Sequence, residues 1–592
     1  MAAYRAPLRD MRFVLHELHQ FEELRSLPGC GEFSADVIES VLDAAARLSE
    51  KVLQRLNRAG DEQGCRLSEG AVRAPAGFRE AYRAYAAGGW ASLACDPEFG
   101  GQGLPHAVRI LVEETICSAN LAFASYTMLV QGAYRTLLAH ASEPLKRRYL
   151  PRLVSGEWTA TMCLTEAHSG SDLGLVRTRA RADGDGSYRI SGTKIFISAG
   201  DHDLAGNIVH LVLARLTDAP GGSQGISLFV VPKVLADSSG ELTTRNRVSC
   251  VSLENKMGQK ACATCVLAFD DAAGWMIGEP NRGLNAMFAM INTARMGAAI
   301  QGLGIAEAAY QGASHYARER LQGRSLAGVR YPDKPADPII VHADVRRMLL
   351  TMRAHVEGMR ALAQWVAQAF DRGERHPDQA IRHEAGEFVA LMTPVLKAMF
   401  SDLGSECANL GIQVYGGHGY IREHGMEQYV RDIRIAQIYD GTNGIQALDL
   451  VRRKIGAGGL AHRFFEPVQH FFDASGADPS MTEFVQPLSE AFARLQQVTG
   501  WISRAAHADP EEAASVATEY LRLFGLVALA FMWAKMAAVA LPRTDGPEAA
   551  FYRAKLGTAR FFLQRLFPQE EALVKSILAG GRSLHDFDEA AF

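Results

Sequence analysis

The stretch RIAQIYDGTNGIQ, residues 434–446, sets one carboxylate, Asp440, directly ahead of glycine, threonine, asparagine and glycine. The apolar positions before it alternate as in an extended run. Those after it, Ile445, Leu448, Val451 and Ile455, recur at helical spacing, so a helix is expected just beyond Asp440, with Asn443 and Gln446 at capping-box separation. The N–H groups and positive end of such a helix favour anions. They would keep the carboxylate ionised and able to act as a base, while Thr442 and the backbone could hold an anionic or electron-rich ligand. A capped helix behind a solvated aspartate has the same spacing, so this pattern leaves both readings open.

Other chemistries lack their residues. There is no GxxxxGK[ST], HExxH or GxSxG, and Gly302 and Gly304 lie in a helical pattern with no strand before them. Phosphoryl transfer, zinc proteolysis, serine hydrolysis and nicotinamide binding are therefore disfavoured. Cys262 and Cys265 have the spacing of half a zinc site, but no second pair follows and the flanking run reads as a buried strand, so they are taken as small apolar fillers.

The elements that must position Asp440 follow from periodicity. Helical spacing runs from Ala35 to about Ala94 and resumes over HAVRILVEETICSANLAFASYTMLVQGAYRTLLAH. From about Trp158 short β-branched stretches take over, separated by SGSD, ADGDGS and DAPGGSQG. Long amphipathic helices return after Pro280 and imply a bundle. Beyond KIGAGGLAH a last helical region includes Asp509, Pro510, Glu511 and Glu512 as N-cap, first-turn proline and first-turn acids. The expected domains are 1–157, 158–280, 281–459 and 460–592. The apolar run Leu523–Ala534, closed by Arg522 and Lys535, falls short of the roughly 20 residues that cross a bilayer, and a buried helix or subunit contact is preferred over peripheral membrane association.

With 592 residues, 48% hydrophobic and 22% charged, the chain has an ordinary globular composition and room for several cores. The net charge of -4 and interleaved charges offer no basic stripe for nucleic acid. The start MAAYRAPLRDMRFVL has neither signal nor transit character, so a cytoplasmic location is expected, with the nine cysteines reduced.

Residues 411–446, GIQVYGGHGYIREHGMEQYVRDIRIAQIYDGTNGIQ, resemble the C-terminal signature of the acyl-CoA dehydrogenases. TMCLTEAHSGSDLG (161–174) and GTKIFISAG (192–200) resemble the family's two flavin-binding stretches, and ENKMGQKACATCVLAFDD and YARERLQGR match two further segments in order. APLRDMRFVL, the HSGSDLG variant and the long tail are similar to the enlarged branch containing 3-methylthiopropionyl-CoA and broad-range fatty acyl-CoA dehydrogenases. The fold class implied is mainly α with a middle β-barrel-like domain: an α domain, the β domain, an α-helical bundle and an extra C-terminal helical domain.

The resemblance implies FAD as cofactor and α,β-desaturation of an acyl-CoA thioester. Asp440 would remove the α-proton as the β-hydride passes to flavin N5, and the backbone N–H of Asp440 with a flavin ribityl hydroxyl would polarise the thioester carbonyl. Met162, Leu164 and Thr165 would lie along the flavin edge, Phe196 on the ring system with Ser198 beside it, and Thr442 would complete the flavin contacts. Arg320, Gln322, Gln413, Gly416 and Gly417 would contact the diphosphate and adenosine end in a neighbouring subunit. Ser171 would approach flavin or CoA phosphates, and Arg295 the CoA side, with Asp440 and Gly441 against the substrate. A homo-oligomer, a dimer or paired dimers, and an electron-transfer flavoprotein as acceptor are also implied. Two departures stand out. Most members carry glutamate at the position of Asp440, and the alternative glutamate position, just before Arg295, is Ala294. Aspartate withdraws the oxygen by roughly 1.5 Å. An oxidase acting on acyl-CoA or on nitroalkanes, and a catalytically weakened acyl-CoA-binding scaffold that keeps FAD, are the alternatives.

Overall fold

The computed structural model describes residues 4–237, 240–476 and 478–592. The chain forms two compact units, one of Ala44–Leu104 and Thr115–Gly297, the other of Met1–Asp43, Pro105–Glu114 and Ala298–Phe592.

The Ala44–Gly297 unit is built on a seven-stranded sheet. Asn207–Leu216 is its central strand, pairing in parallel with Trp158–Cys163 and antiparallel with Ile226–Pro232. Ile226–Pro232 also pairs with the long strand Thr264–Ile277, which pairs with Tyr188–Ser198. Arg179–Ala182 bridges Tyr188–Ser198 back to Asn207–Leu216, so five strands close into a ring, which removes most free edges. Period-two alternation divides the core. Val209, Leu211 and Leu213 face a layer containing Ala133, Tyr134 and Leu137 of the helix Leu121–His140, whereas Val212 and Ala214 face Phe229, Ile190 and Phe269. That helix starts where Asn120 accepts the Phe123 N–H at 3.0 Å.

The expected unbroken helical pattern from Ala35 to Ala94 is interrupted. A hairpin, Arg66–Ser68 with Ala71–Arg73, lies between Gln54–Gln63 and Phe78–Ala87. Its two turn residues, Glu69 (φ 51°) and Gly70 (φ 71°), are both left-handed, as a two-residue hairpin turn requires. Glutamate is an uncommon first residue there, so the turn left no conventional mark in the sequence.

The other unit is helical. Ala343–Arg375 packs antiparallel-style beside Gln379–Tyr415, with the C-terminal half of Gly283–Glu319 against the latter. Gly302 is a packing glycine: a Cβ there would sit 2.2 Å from the Phe400 carbonyl oxygen, and a Cβ on Gly404 would sit 2.6 Å from the Gly302 carbonyl oxygen. The C-terminal helices Thr482–Ala508 and Ala517–Ala540 follow, and Asp509 caps Pro510–Ser515 as expected, accepting from the Glu511 and Glu512 N–H groups. Ala517–Ala540 runs on through Arg522 and Lys535, longer than the apolar run suggested; its most apolar window is 83% buried, and Trp533 donates to the Ala354 carbonyl at 3.3 Å. A buried ion cluster ties this unit's segments together. Arg360 pairs with Asp10, Glu114 and Glu307, and Lys555 with Asp10 and Glu357. Burial and the crowding of carboxylates outweigh Arg360 at Glu114, whose carboxyl is pushed up to about 7.

Candidate functional site

Asp440 does not follow an extended run. Met426–Ile433 is α-helical and Arg434–Gln437 a 3-10 turn, so the alternation before Asp440 belongs to helical segments. The helix beyond it starts at Asn443, but its cap is Thr442, whose Oγ1 accepts the Ile445 N–H at 3.3 Å, rather than the Asn443–Gln446 pair. Gln446 turns back instead, its Nε2 donating to the carbonyls of Asp440 (3.0 Å) and Gly441 (3.1 Å). Asp440 is half-buried, with φ +56°, and Gly441 follows at φ +84°. Two consecutive left-handed residues are expensive except for glycine and short polar residues such as aspartate.

The turn is braced by residues the sequence reading missed. Lys397, fully buried on Gln379–Tyr415, donates to the Gly441 carbonyl at 2.7 Å and to Asn443 Oδ1 at 2.9 Å. Asn443 Nδ2 donates to Ser401 Oγ (3.0 Å) and to Asp402 Oδ1 (2.7 Å), and Tyr439 donates to Gln301. A lysine within an apolar helical face is the only trace these contacts leave in the sequence.

In the same unit, Gln413, Gly416 and Gly417 are exposed at the end of Gln379–Tyr415. Gly416 has φ +60°, and a Cβ on either glycine would meet nothing within 4 Å, which leaves bare backbone open to a ligand. Arg320 and Gln322 are also exposed, linked at 3.3 Å. Their loop is set by buried Asp337, which accepts from the Ser325 N–H (3.0 Å) and Tyr331 N–H (2.8 Å). Burial alone would raise the Asp337 carboxyl, but these N–H donors outweigh it and hold it down at about 2.

The Ala44–Gly297 unit gathers the remaining residues. Met162, Leu164 and Thr165 sit half-buried at the end of Trp158–Cys163, beside Tyr188–Ser198, with the Thr165 carbonyl accepting from the Ile195 N–H at 2.9 Å. Phe196 holds its ring 60% exposed from a left-handed backbone, φ +59°. An aromatic residue strained into this region and denied burial is costly on both counts, and the exposed ring suits stacking on a flat ring system. Ser198 is half-buried and Ser171 exposed. Arg295 is buried, 3.5 Å from Asn292 Oδ1, with Ala294 half-buried before it. His168 is a turn residue whose Nε2 lies 3.1 Å from the Leu175 carbonyl.

Beneath this edge lies a pair not anticipated from sequence. Lys194, fully buried, donates to the Leu164 carbonyl and to Glu166 Oε1, both at 2.9 Å. Glu166 also accepts from the Arg177 N–H (2.8 Å), Thr178 N–H (3.0 Å) and Thr178 hydroxyl (2.6 Å). Burial would raise its carboxyl, but the Lys194 ammonium and these donors prevail and bring it down to about 2. Burial in turn lowers the Lys194 ammonium, with Glu166 opposing. Cys265 lies in a strand as expected, whereas Cys262 occupies the turn before it; both are buried free thiols.

Comparison with known proteins gives four family models in chain order: "Acyl-CoA dehydrogenase, N-terminal domain" over residues 39–157, the middle domain over 161–272, the C-terminal domain over 281–455, and "Acetyl-CoA dehydrogenase C-terminal like" over 464–588. A 3-methylmercaptopropionyl-CoA dehydrogenase of Ruegeria pomeroyi is 40% identical, with 98% of this chain and 99% of that protein aligned. The broad-specificity linear acyl-CoA dehydrogenase FadE5 of Mycobacterium tuberculosis is 32% identical over the full length of both. Among solved structures, ACDH-11 of Caenorhabditis elegans in complex with C11-CoA shares the fold at TM-score 0.75 and 21% identity, covering 93% of this chain and 91% of that one. An acyl-CoA dehydrogenase complexed with FAD from Bacillus anthracis does so at TM-score 0.74 and 20% identity, covering 96% and 91%.

Proposed function

Because the chain belongs to the acyl-CoA dehydrogenase family, with relatives matching over its whole length, we propose that Asp440 is the base that removes the α-proton of the thioester. The protein is an FAD-dependent acyl-CoA dehydrogenase of fatty acid oxidation. Bound FAD supplies the acceptor for the β-hydride.

The observation that carries the base assignment is the braced left-handed turn at Asp440 and Gly441, with its carbonyls held by Gln446 and Lys397. The α-C–H beside a thioester is a very weak acid, so abstraction needs a carboxylate held in place and a donor to the carbonyl oxygen that strengthens as enolate charge develops. Asp440 offers both, through its side chain and its own backbone N–H. The shorter acid goes here with a left-handed backbone that glutamate adopts less readily. Ala294 provides no second carboxylate.

The chain's residues fit the cofactor. Phe196, with Ser198 beside it, offers a stacking ring, and Met162, Leu164 and Thr165 an edge; Thr442 is assigned a flavin contact by the family resemblance. Arg320, Gln322, Gln413 and the open backbone at Gly416 and Gly417 suit a diphosphate and adenosine, taken from a neighbouring subunit in a homo-oligomer. Ser171 and Arg295 serve the CoA moiety, and Gly441 lies against the acyl group. An electron-transfer flavoprotein is the electron acceptor in this reading, and the location is cytoplasmic.

An anaerobic titration of flavin-loaded protein with a panel of acyl-CoAs, and separately with nitroalkanes, tests it. Bleaching of flavin absorbance by acyl-CoAs alone, with slow reoxidation in air, is expected. Bleaching by nitroalkanes with fast peroxide release would assign an oxidase. Asp440→Asn should retain FAD and lose bleaching; bleaching at the parent rate would remove Asp440 from the role.

A further inference from the structure

Lys397 is the least expected side chain near the site. An ammonium on the buried face of a long helix costs more than an aliphatic residue of the same length unless its donors are well used. Two of its donors go to the turn that carries Asp440, to the Gly441 carbonyl at 2.7 Å and Asn443 Oδ1 at 2.9 Å. Gln446 supplies a second donor to the Gly441 carbonyl, at 3.1 Å, and one to the Asp440 carbonyl, at 3.0 Å.

A peptide's C=O and N–H point in opposite directions. Drawing the carbonyls of residues 440 and 441 toward Lys397 and Gln446 therefore sends the N–H groups of Gly441 and Thr442 the other way, and it holds both left-handed residues in place. A strained backbone of this kind persists only where its surroundings over-determine it, and Lys397 reaches across from a separate helix to do so. Asn443 is held from the same helix by Ser401 and Asp402 as well, so the cap region survives without Lys397, whereas the Gly441 carbonyl would keep only the longer bond from Gln446.

We infer that Lys397 is a positioning residue for the α-proton transfer: it sets the peptide plane between Gly441 and Thr442, and through it the aim of the Asp440 carboxylate. The inference rests on Asp440 being the base. Lys397 touches neither the acyl group nor the proton in this scheme.

The test uses Lys397→Met, which keeps length and apolar packing, and Gln446→Met as a second variant acting on the same carbonyls. Hydrogen–deuterium exchange by mass spectrometry on the unliganded proteins should show faster exchange confined to the segment 439–446. In flavin-loaded protein, the limiting rate of anaerobic bleaching should fall at least about tenfold, since misplacement by about 1 Å costs about a hundredfold, while the acyl-CoA concentration giving half-maximal rate changes by less than about twofold. An acyl-CoA with sulfur in place of the β-carbon, which can lose an α-proton but has no β-hydride to give, should exchange its α-protons into D2O more slowly by the same factor. Normal exchange and bleaching per bound FAD, in either variant, would overturn the inference, as would a change confined to half-saturation or thermal stability. Asp440→Asn, run alongside, separates the two claims: if it still exchanges α-protons the base assignment fails, and if it is inert while Lys397→Met behaves as the parent only the positioning role fails.

Discussion

Replacing Glu166 by glutamine probes the buried pair beneath the edge formed by Met162, Leu164 and Thr165. In the parent, four donors converge on the carboxylate, from Lys194, Arg177 and Thr178. The amide keeps the shape, removes the charge beside a fully buried ammonium, and turns one acceptor into a donor facing the Arg177 or Thr178 N–H. The carboxyl lies at about 2 against an ordinary 4.5; at about 1.4 kcal/mol per tenfold change in proton affinity this corresponds to about 3 kcal/mol of native-state stabilisation. At about 2–4 °C per kcal/mol for a folded unit of 150–250 residues, the melting of the Ala44–Gly297 unit should drop by about 6–12 °C at pH 7. The pH dependence has a definite sign. A carboxyl whose folded pKa is depressed stabilises fully above 4.5 and loses that contribution as pH falls toward 2, so the gap between parent and variant should narrow by about 1.4 kcal/mol at pH 3.5. Urea unfolding of both proteins at pH 7 and pH 3.5, followed by tryptophan fluorescence, to which the buried Trp158 contributes, measures the gap. A gap below about 1 kcal/mol at pH 7, or one that stays constant on acidification, would refute the assigned strength of the pair.

Phe196→Ala should weaken FAD retention at least about tenfold while raising or preserving the stability of the apoprotein, because the exposed ring contributes little to the core; equilibrium dialysis of the flavin and a melting curve check both. Arg360→Met should leave Asp10, Glu114 and Glu307 buried around an absent cation and cost about 3–5 kcal/mol, read by denaturant unfolding at neutral pH. Gly302→Ala forces a methyl to within 2.2 Å of the Phe400 carbonyl oxygen, so the two helices must separate; a loss of about 1–3 kcal/mol or more is expected by the same assay. His202 and His210 are pushed down to about 3, chiefly by burial. A histidine kept neutral in the native state binds its proton only on unfolding, so stability should fall as pH drops below 6.5, and both rings should remain neutral by NMR at pH 5.

The sequence by itself determined the succession of helical, strand-rich and helical segments, because periods of 3.6 and 2 are written in neighbouring residues, and it determined the family through ordered motifs. Asp440 was legible as a carboxylate ahead of a helix, and Asp509 as a cap, because both depend on residues a turn apart. What lay beyond local reach was decided by tertiary structure. The left-handed backbone at Asp440, which a short polar side chain tolerates, is braced by donors from Lys397 and Gln446, and at Phe196 it runs against the residue's own preference. Lys397 stands 43 residues from Asp440 in the chain, and its donors find the Gly441 carbonyl only once two helices have packed. Lys194 reads as one more residue of an alternating strand until Glu166 turns toward it, and the hairpin at Glu69 and Gly70 has no local signal strong enough to break the helical pattern around it. Gly302 resembles part of a nucleotide loop by type and proves to be a helix contact, because only the opposing Phe400 and Gly404 make the missing side chain necessary. Local periodicity specifies elements, whereas buried charges, strained turns and close backbone contacts are settled by partners distant in sequence, where their desolvation and strain are offset.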